Sequence, residues 1–165
     1  QVCTTLGMLT PEQAAQLRQA GLTAYNHNLD TSPEFYPKVT TSRKYEDRLA
    51  TLEAVRQAGI SVCAGGIIGL GEGPQVRSGS SSTQARTQQR PENLPSHTPA
   101  CLQGNEAPEG IDLVRCVATA RVVMPRTVVR LSAGRLDLSR ADQALAFLAG
   151  ANSIFDGDKL LTTPN

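Results

Sequence analysis

The chain has 165 residues, and its 16 Lys and Arg against 15 Asp and Glu leave a net charge of +1, without the basic field that nucleic acid or an anionic membrane surface would call for. Hydrophobic residues make up 39% and charged residues 19%, the balance of a globular chain with material for one core, not of a disordered one. No apolar run approaches the roughly 20 residues that span a bilayer.

In chain order, "QVCTTLG" reads as the end of a strand. Thr10 is placed to cap a helix opening at Pro11, a position where the missing proline N–H costs nothing. Ala14, Leu17 and Ala20 give that helix an apolar stripe, and Gly21 stands where a C-terminal cap belongs. In the next stretch, "TAYNHNLDTS", Asn26, Asn28 and Asp30 alternate with Tyr25, His27 and Leu29. Period two is a strand signature, because successive side chains point to opposite faces. Asn and Asp are poor strand formers and costly to bury alone, so the row is an exposed edge or the wall of a polar site. His27, on the other face, reads as a packing residue.

"SRKYEDRLATLEAVRQAG" carries Tyr45, Leu49, Leu52 and Val55 on one helical face, closed by Gly59. "ISVCAGGIIGLGE" is a strand running into a glycine-rich turn, where the missing Cβ lets a ligand approach the backbone. It lacks the GxGxxG dinucleotide pattern. Residues 73–110 are rich in Ser, Gln and Pro and nearly free of aliphatic residues, so by composition they form a disordered linker or a long loop. Order returns with "IDLVRCVATARVV", a helix with Ile111, Val114, Val117 and Ala118 as its apolar positions. "RTVVRLSAG" is a strand, Ser139 caps the helix "RADQALAFLAG", and "NSIFDG" and "KLLTTPN" complete the chain.

Alternating strands and helices with short loops mean a parallel sheet with crossover helices. Periodicity alone does not separate a flat sheet from a barrel, and the number of units favours part of an eight-stranded barrel. The chain divides into barrel units over 1–72, the divergent segment 73–110, and later barrel strands and helices over 111–165. It opens inside a strand and reads as a piece of something longer. The cysteines at 3, 63, 101 and 116 form no CxxC pair, and their spacing favours thiols in a reducing compartment over a metal site. Cys116 falls in an apolar helix as a core residue, and Cys101 is given no role.

At the C-terminal ends of parallel barrel strands, where function gathers, fall Cys3, the Asn26/Asn28/Asp30 row, Cys63, the glycines of "GGIIGLGE" and Arg130. Arg130 shares a strand face with Val128 and Ser132, and a guanidinium there needs partners because it cannot shed its charge.

"YNHNLDTSPEFY", "GISVCAGGIIGLGE", "VRLSAGR" and "AGANSIFDGDKLLTTPN" resemble, in order and in spacing, motifs of the biotin synthase family of radical S-adenosylmethionine enzymes. The resemblance covers nearly everything except residues 73 to about 110. It implies an α/β fold, a partial TIM-type (β/α) barrel of the radical S-adenosylmethionine type, with one βα unit replaced by a low-complexity segment. It also implies a homodimer that inserts sulfur into dethiobiotin. The radical comes from S-adenosylmethionine at a [4Fe–4S] cluster, the sulfur from a [2Fe–2S] cluster, and the electron from a flavodoxin- or ferredoxin-like donor.

By the same resemblance, Cys3 and Cys63 match two cysteine ligands of the [2Fe–2S] cluster, and Arg130 its arginine ligand. Asn28 and Asp30 match contacts to S-adenosylmethionine, Asp30 accepting from the ribose hydroxyls, and Ile67 matches an apolar contact to the adenosine. Asn28 also lies close to the dethiobiotin position, and Ser153, Thr162 and Thr163 resemble polar groups at the dethiobiotin end. No nucleic acid or membrane partner is implied. The compartment would be the cytoplasm in a bacterium and the mitochondrial matrix in a eukaryote.

The chain also departs from the family. The CxxxCxxC loop that holds the [4Fe–4S] cluster is absent and would lie before residue 1, as would the third [2Fe–2S] cysteine. The family's Asn-bearing strand, followed by Lys-Gly-Thr-Pro, is missing from 73–110. Plausible codons for "TPACLQGNEA", read one base later, spell Arg-Leu-Leu-Ala-Phe-Lys-Gly-Thr-Lys, which makes a shifted reading frame one explanation. Three functional readings follow. One is the family's sulfurtransferase, with this chain alone inactive; the second is a truncated or frame-damaged relative without turnover; the third, ranked last because "YNHNLDTS" with "LSAGR" argues against it, is another radical S-adenosylmethionine barrel acting on a different small molecule.

Overall fold

The computed structural model describes residues 2–70, 72, 109–132, 135–155, 157, 159–160 and 163–164. The expectations for 73–110 lie outside these residues, apart from Glu109 and Gly110.

The first part is a three-stranded parallel sheet, ordered β1 (Cys3–Thr4), β2 (Ala24–Asn26) and β3 (Ser61–Cys63), with crossover helices α1 (Pro11–Gln19) and α3 (Tyr45–Gln57). Short helix α2 (Tyr36–Val39) lies between β2 and α3 and is not foreseen by the apolar pattern. Local chemistry explains where α1 and α3 begin. The Thr10 hydroxyl accepts from the Gln13 N–H, and the Gln13 side chain accepts from the Thr10 N–H, a reciprocal cap. At α3 the Asp47 carboxylate accepts from the Lys44 N–H at 3.0 Å. Gly21 and Gly59 follow the two helices at φ +91° and +74°, where a side chain would be strained.

Register fixes the faces. Cys3 stands opposite Ala24, Ala24 opposite Ser61, and Asn26 opposite Cys63. Partners in a parallel ladder point the same way, so Cys3, Asn26 and Cys63 share one face of the sheet. Tyr25 and Val62 point to the other and pack with Leu22, Leu29, Tyr36, Tyr45, Leu52, Val55, Ile60 and Ala64 beneath the helices.

The later part repeats the pattern. Helix α4 (Gly110–Val123) leads to β4 (Arg130–Leu131), and α5 (Arg140–Leu148) leads to β5 (Ser153–Ile154), which pairs parallel with β4. Ser139 caps α5 through the Asp142 N–H as its sequence indicates. The helix α4 forms as expected, but its buried face is Leu113, Cys116, Val117 and Ala120, whereas Ile111 is exposed. The apolar-rich sequence offers more than one stripe, and the one that packs on α5, β4 and Ile68 wins. Ile68, in the loop after β3, joins this second core to the first sheet. The strands β6 (Lys159–Leu160) and β7 (Thr163–Pro164) form an antiparallel pair, a departure from the parallel order.

Arg121 ties this half together. Its guanidinium donates to the carbonyls of Gly150, Pro125 and Thr127 at 2.7–3.1 Å, stitching the loop before β4 to the loop before β5.

Candidate functional site

The alternating row of β2 and its extension settles the question the sequence raises. Tyr25, His27 and Leu29 are buried, while Asn26, Asn28 and Asp30 are half-buried, Asn26 on the sheet face it shares with Cys3 and Cys63. The side-chain oxygens Oδ1 of Asn26 and Asn28 are buried with no partner among the described residues, so each is an acceptor without a donor. The Asn26 amide donates to the Thr5 hydroxyl at 3.2 Å, which turns that acceptor to a fixed direction.

Asp30 adopts φ +64°, a left-handed conformation that Asp tolerates better than most residues. Main-chain bonds hold it there. The Leu29 and Asp30 N–H groups donate to the Gly65 carbonyl, and the Ile67 N–H donates to the Asp30 carbonyl at 2.6 Å. The end of the polar row and the glycine turn are thus joined at Asp30, which stands next to Ile67 through the main chain. A parallel bridge between Asp30 and Gly66 completes this stitching. Glu72 steadies the far end of the turn, its carboxylate accepting from the Gly69 N–H at 2.8 Å.

Arg48 is the residue that motif reading misses. Its Nη2 lies 2.9 Å from Asp30 Oδ2, its Nη1 donates to the Asn28 carbonyl, and its Nε donates to the Tyr36 hydroxyl at 2.6 Å. The signal was present. Tyr45, Arg48, Leu52 and Val55 follow a three-four-three spacing, so an arginine sits within the stripe that faces the sheet. Burial pushes the Asp30 carboxyl above its ordinary value, and Arg48 pulls it back.

His27 packs beside Tyr25 with only 5% of its surface exposed. Burial, with Arg48 and Arg43 nearby, lowers its pKa from 6.5 to about 4. Between those values the unfolded chain binds a proton that the folded chain does not, so stability falls as pH drops through this window. The full loss is about 3 kcal/mol by pH 4, and Asp30 opposes part of it because its raised carboxyl takes up a proton on folding. Melting temperatures between pH 7 and pH 4.5 are expected to fall more steeply for the native sequence than for His27→Gln, in which Asp30 is unchanged. Parallel curves would refute the assignment.

The candidate ligands lie on two sheets. Cys3 is exposed and Cys63 buried, on one face, two strand spacings apart (roughly 10 Å) and offset by two residues (roughly 7 Å). Arg130, opposite Ser153 in the β4–β5 ladder, donates from Nε to the Ser153 hydroxyl at 2.8 Å, and its guanidinium carbon lies 4.7 Å from the centre of the Phe155 ring. Its neighbours Val129 and Leu131 point into the second core, so Arg130 is on the opposite, open face. Thr162 lies outside the described residues; Thr163 is described as backbone only, paired with Leu160.

Residues 1–76 match the Radical SAM superfamily, and residues 95–165 match the Biotin and Thiamin Synthesis associated domain. The mitochondrial biotin synthase of Arabidopsis thaliana is 55% identical over 170 residues, covering all of this chain and 45% of that protein. Biotin synthase of Methylobacterium sp. (strain 4-46) is 57% identical over 170 residues, covering all of this chain and 51% of that protein. The chain belongs to the biotin synthase family. It spans about half the length of these biotin synthases. The crystal structure of methylornithine synthase superposes with a TM-score of 0.70 at 19% identity, over 92% of this chain and 46% of that one. At that identity the likeness speaks for the fold, a partial (β/α) barrel with parallel strands, as the order of elements implied.

The iron–sulfur groups of a biotin synthase can be tested against these side chains. No CxxxCxxC occurs in the 165 residues, so they do not fit a [4Fe–4S] cluster. Among the described residues no group of three or more His, Cys, Asp and Glu side chains is arranged to hold a metal ion. Cys3 and Cys63 are too far apart to share one ion, but their common face suits thiolates on different irons of a small cluster. They fit as part of a [2Fe–2S] ligand set. Among the described residues no helix is long and apolar enough to cross a membrane.

Proposed function

We propose that this chain forms the S-adenosylmethionine- and substrate-lining part of a biotin synthase that inserts sulfur into dethiobiotin. The observation that carries the reading is the main-chain bonding of Asp30 to Gly65 and Ile67, with Arg48 reaching both the Asp30 carboxylate and the Asn28 carbonyl. A fixed carboxylate beside an apolar side chain suits a ribose diol and an adenine respectively. Asp30 accepts from the ribose hydroxyls, and the carbonyl oxygen of the Asn28 side chain accepts from an N–H of S-adenosylmethionine or dethiobiotin. Ile67 covers the adenosine. Asn26, with the same unpartnered acceptor one strand step earlier, extends this wall.

When bound, the clusters supply the electron that cleaves S-adenosylmethionine and the sulfur that is transferred. Cys3, Cys63 and Arg130 hold the [2Fe–2S] cluster in this reading, and the [4Fe–4S] ligands come from outside these 165 residues. Ser153, Thr162 and Thr163 belong to the dethiobiotin end. Turnover is assigned to a protein that includes a CxxxCxxC loop, acting as a homodimer with a flavodoxin- or ferredoxin-like electron donor, in the cytoplasm of a bacterium or the mitochondrial matrix of a eukaryote.

The test uses the complete gene product, reconstituted anaerobically with iron and sulfide and supplied with S-adenosylmethionine, dethiobiotin and a reductant. Biotin and 5′-deoxyadenosine are expected together, and Asp30→Asn should weaken S-adenosylmethionine binding at least tenfold. If neither product forms, the catalytic reading fails; if Asp30→Asn binds normally, the site assignment fails.

A further inference from the structure

Tyr36 opens the short helix α2 and is 1% exposed, in the core that also holds Leu29, Leu52 and Val55. Phenylalanine would fill that space with no hydroxyl to satisfy, and a buried hydroxyl is costly unless bonded. This one is bonded: it accepts from Arg48 Nε at 2.6 Å. The Arg48 guanidinium carbon lies 5.6 Å from the ring centre, at the limit of cation–π range, so the oxygen and not the ring face makes the contact.

The phenol is itself fixed from two sides. The Tyr45 ring stands edge-on to it, centres 5.3 Å apart at 72°, and Tyr45 is three residues before Arg48 on α3. The Tyr36 main chain is tied to Ser32, whose carbonyl accepts from the Tyr36 N–H at 2.9 Å. Ser32 follows Asp30 by two residues. The chain thus leaves Asp30, turns at Ser32 and returns to set a rigid phenol on the guanidinium that already reaches Asp30 and Asn28.

We propose that Tyr36 is a positioning residue for Arg48, fixing through Nε the edge that the guanidinium turns to the Asp30 carboxylate. Its purpose rests on the reading of Asp30 as the acceptor for a ribose diol, and Tyr36 is the group that sets the angle of that acceptor. A guanidinium is planar, so contacts at Nε and Nη1 fix its orientation and give Nη2 one place to meet Asp30 Oδ2. Gripped by Oδ2, the carboxylate presents its other oxygen at a set angle. A ligand with two adjacent hydroxyls is sensitive to that angle, because both must reach one carboxylate. Without the phenol oxygen, Arg48 still pairs with Asp30 but pivots on its remaining contacts.

Two readouts separate the contact from its purpose. In the native complete protein without ligand, the Arg48 Nε–H should resonate downfield of the other arginines in a ¹⁵N spectrum and exchange slowly with solvent. Tyr36→Phe should return it to an ordinary position. An ordinary native resonance, or one that Tyr36→Phe leaves in place, overturns the contact. For the purpose, equilibrium binding of S-adenosylmethionine is compared with that of its 2′-deoxyribose analogue, which lacks one of the two hydroxyls. The native protein should prefer S-adenosylmethionine by about tenfold or more. Tyr36→Phe should cut that preference by about threefold or more, with binding of the analogue nearly unchanged. In an Arg48→Met background, Tyr36→Phe should add nothing. Equal weakening of both ligands by Tyr36→Phe, or a loss of preference that persists without Arg48, overturns the positioning role and leaves Tyr36 a core residue. A native protein that binds the two ligands alike overturns the ribose reading itself, whatever the resonance shows.

Discussion

Replacing Arg48 by methionine is expected to destabilise the folded chain by about 3 kcal/mol and to weaken S-adenosylmethionine binding at least tenfold. Methionine keeps most of the aliphatic volume, so the loss reports the guanidinium and not a cavity. Three acceptors lose their donor together: the Asp30 carboxylate, the Asn28 carbonyl and the Tyr36 hydroxyl. The carboxylate matters most. Its side chain is 18% exposed, and burial already favours its neutral form with Arg48 present. Without Arg48 the carboxyl takes up a proton more readily, and one oxygen that should accept from a ribose hydroxyl becomes a donor. Two companions separate the causes. Arg48→Lys keeps the charge but not the planar fork and should recover part of the stability. Asp30→Asn in the Arg48→Met background removes the stranded charge and should recover more. Because the cost is that of a buried unpaired carboxylate, the deficit of Arg48→Met should shrink as pH is lowered. Thermal melts at two pH values and equilibrium binding of S-adenosylmethionine decide the matter. A variant within 0.5 kcal/mol of the native chain, a margin of about a single weak hydrogen bond, would show that Arg48 is not the anchor.

Gly150→Ala should be worse, costing more than about 3 kcal/mol. Two effects add. Gly150 has φ +123°, in a region that side chains rarely enter, and a Cβ built there meets Cγ and Cβ of Arg121 at 2.7 and 2.8 Å. Those atoms are near the α4 backbone, so the helix itself must move. The arginine so displaced is the one that bridges the loops before β4 and β5, and the ladder placing Arg130 opposite Ser153 lies directly beyond them. Gly157→Ala is the matched control. It has a similar φ, +121°, with nothing within 4 Å of its new Cβ, so it reports the backbone strain alone. The two variants melting alike would refute the steric half of the argument.

Much of this was legible before any coordinates. Thr10, Pro11, Gly21, Gly59 and Ser139 mark element ends through local chemistry, and local chemistry can be read from a few neighbours. The alternation around Asn28 likewise declared two faces, one buried and one polar. Long-range choices were not legible. The helix α4 has apolar residues on more than one face, so the choice of Leu113 over Ile111 as a core residue depended on Ile68 arriving from more than 40 positions away. Arg48 was hidden for the opposite reason: a helical stripe is read by its apolar members, and a cation within it drops out of the pattern. Phe155 carried no signal, since one aromatic in "NSIFDG" says nothing about which cation lies over it.

The union of Asp30 with the glycine turn has a consequence for how this site can vary. Its distances are set by peptide groups, through the Gly65 carbonyl, the Asp30 carbonyl and the Ile67 N–H. Side-chain size hardly enters, so leucine or valine in place of Ile67 would inherit the same placement and alter only the shape of the apolar surface. Proline at 67 would delete the donor and separate the acidic and apolar halves while leaving every other side chain intact. The site is therefore tolerant of changes in bulk and intolerant of a missing amide, so substrate fit can drift there without the frame drifting with it.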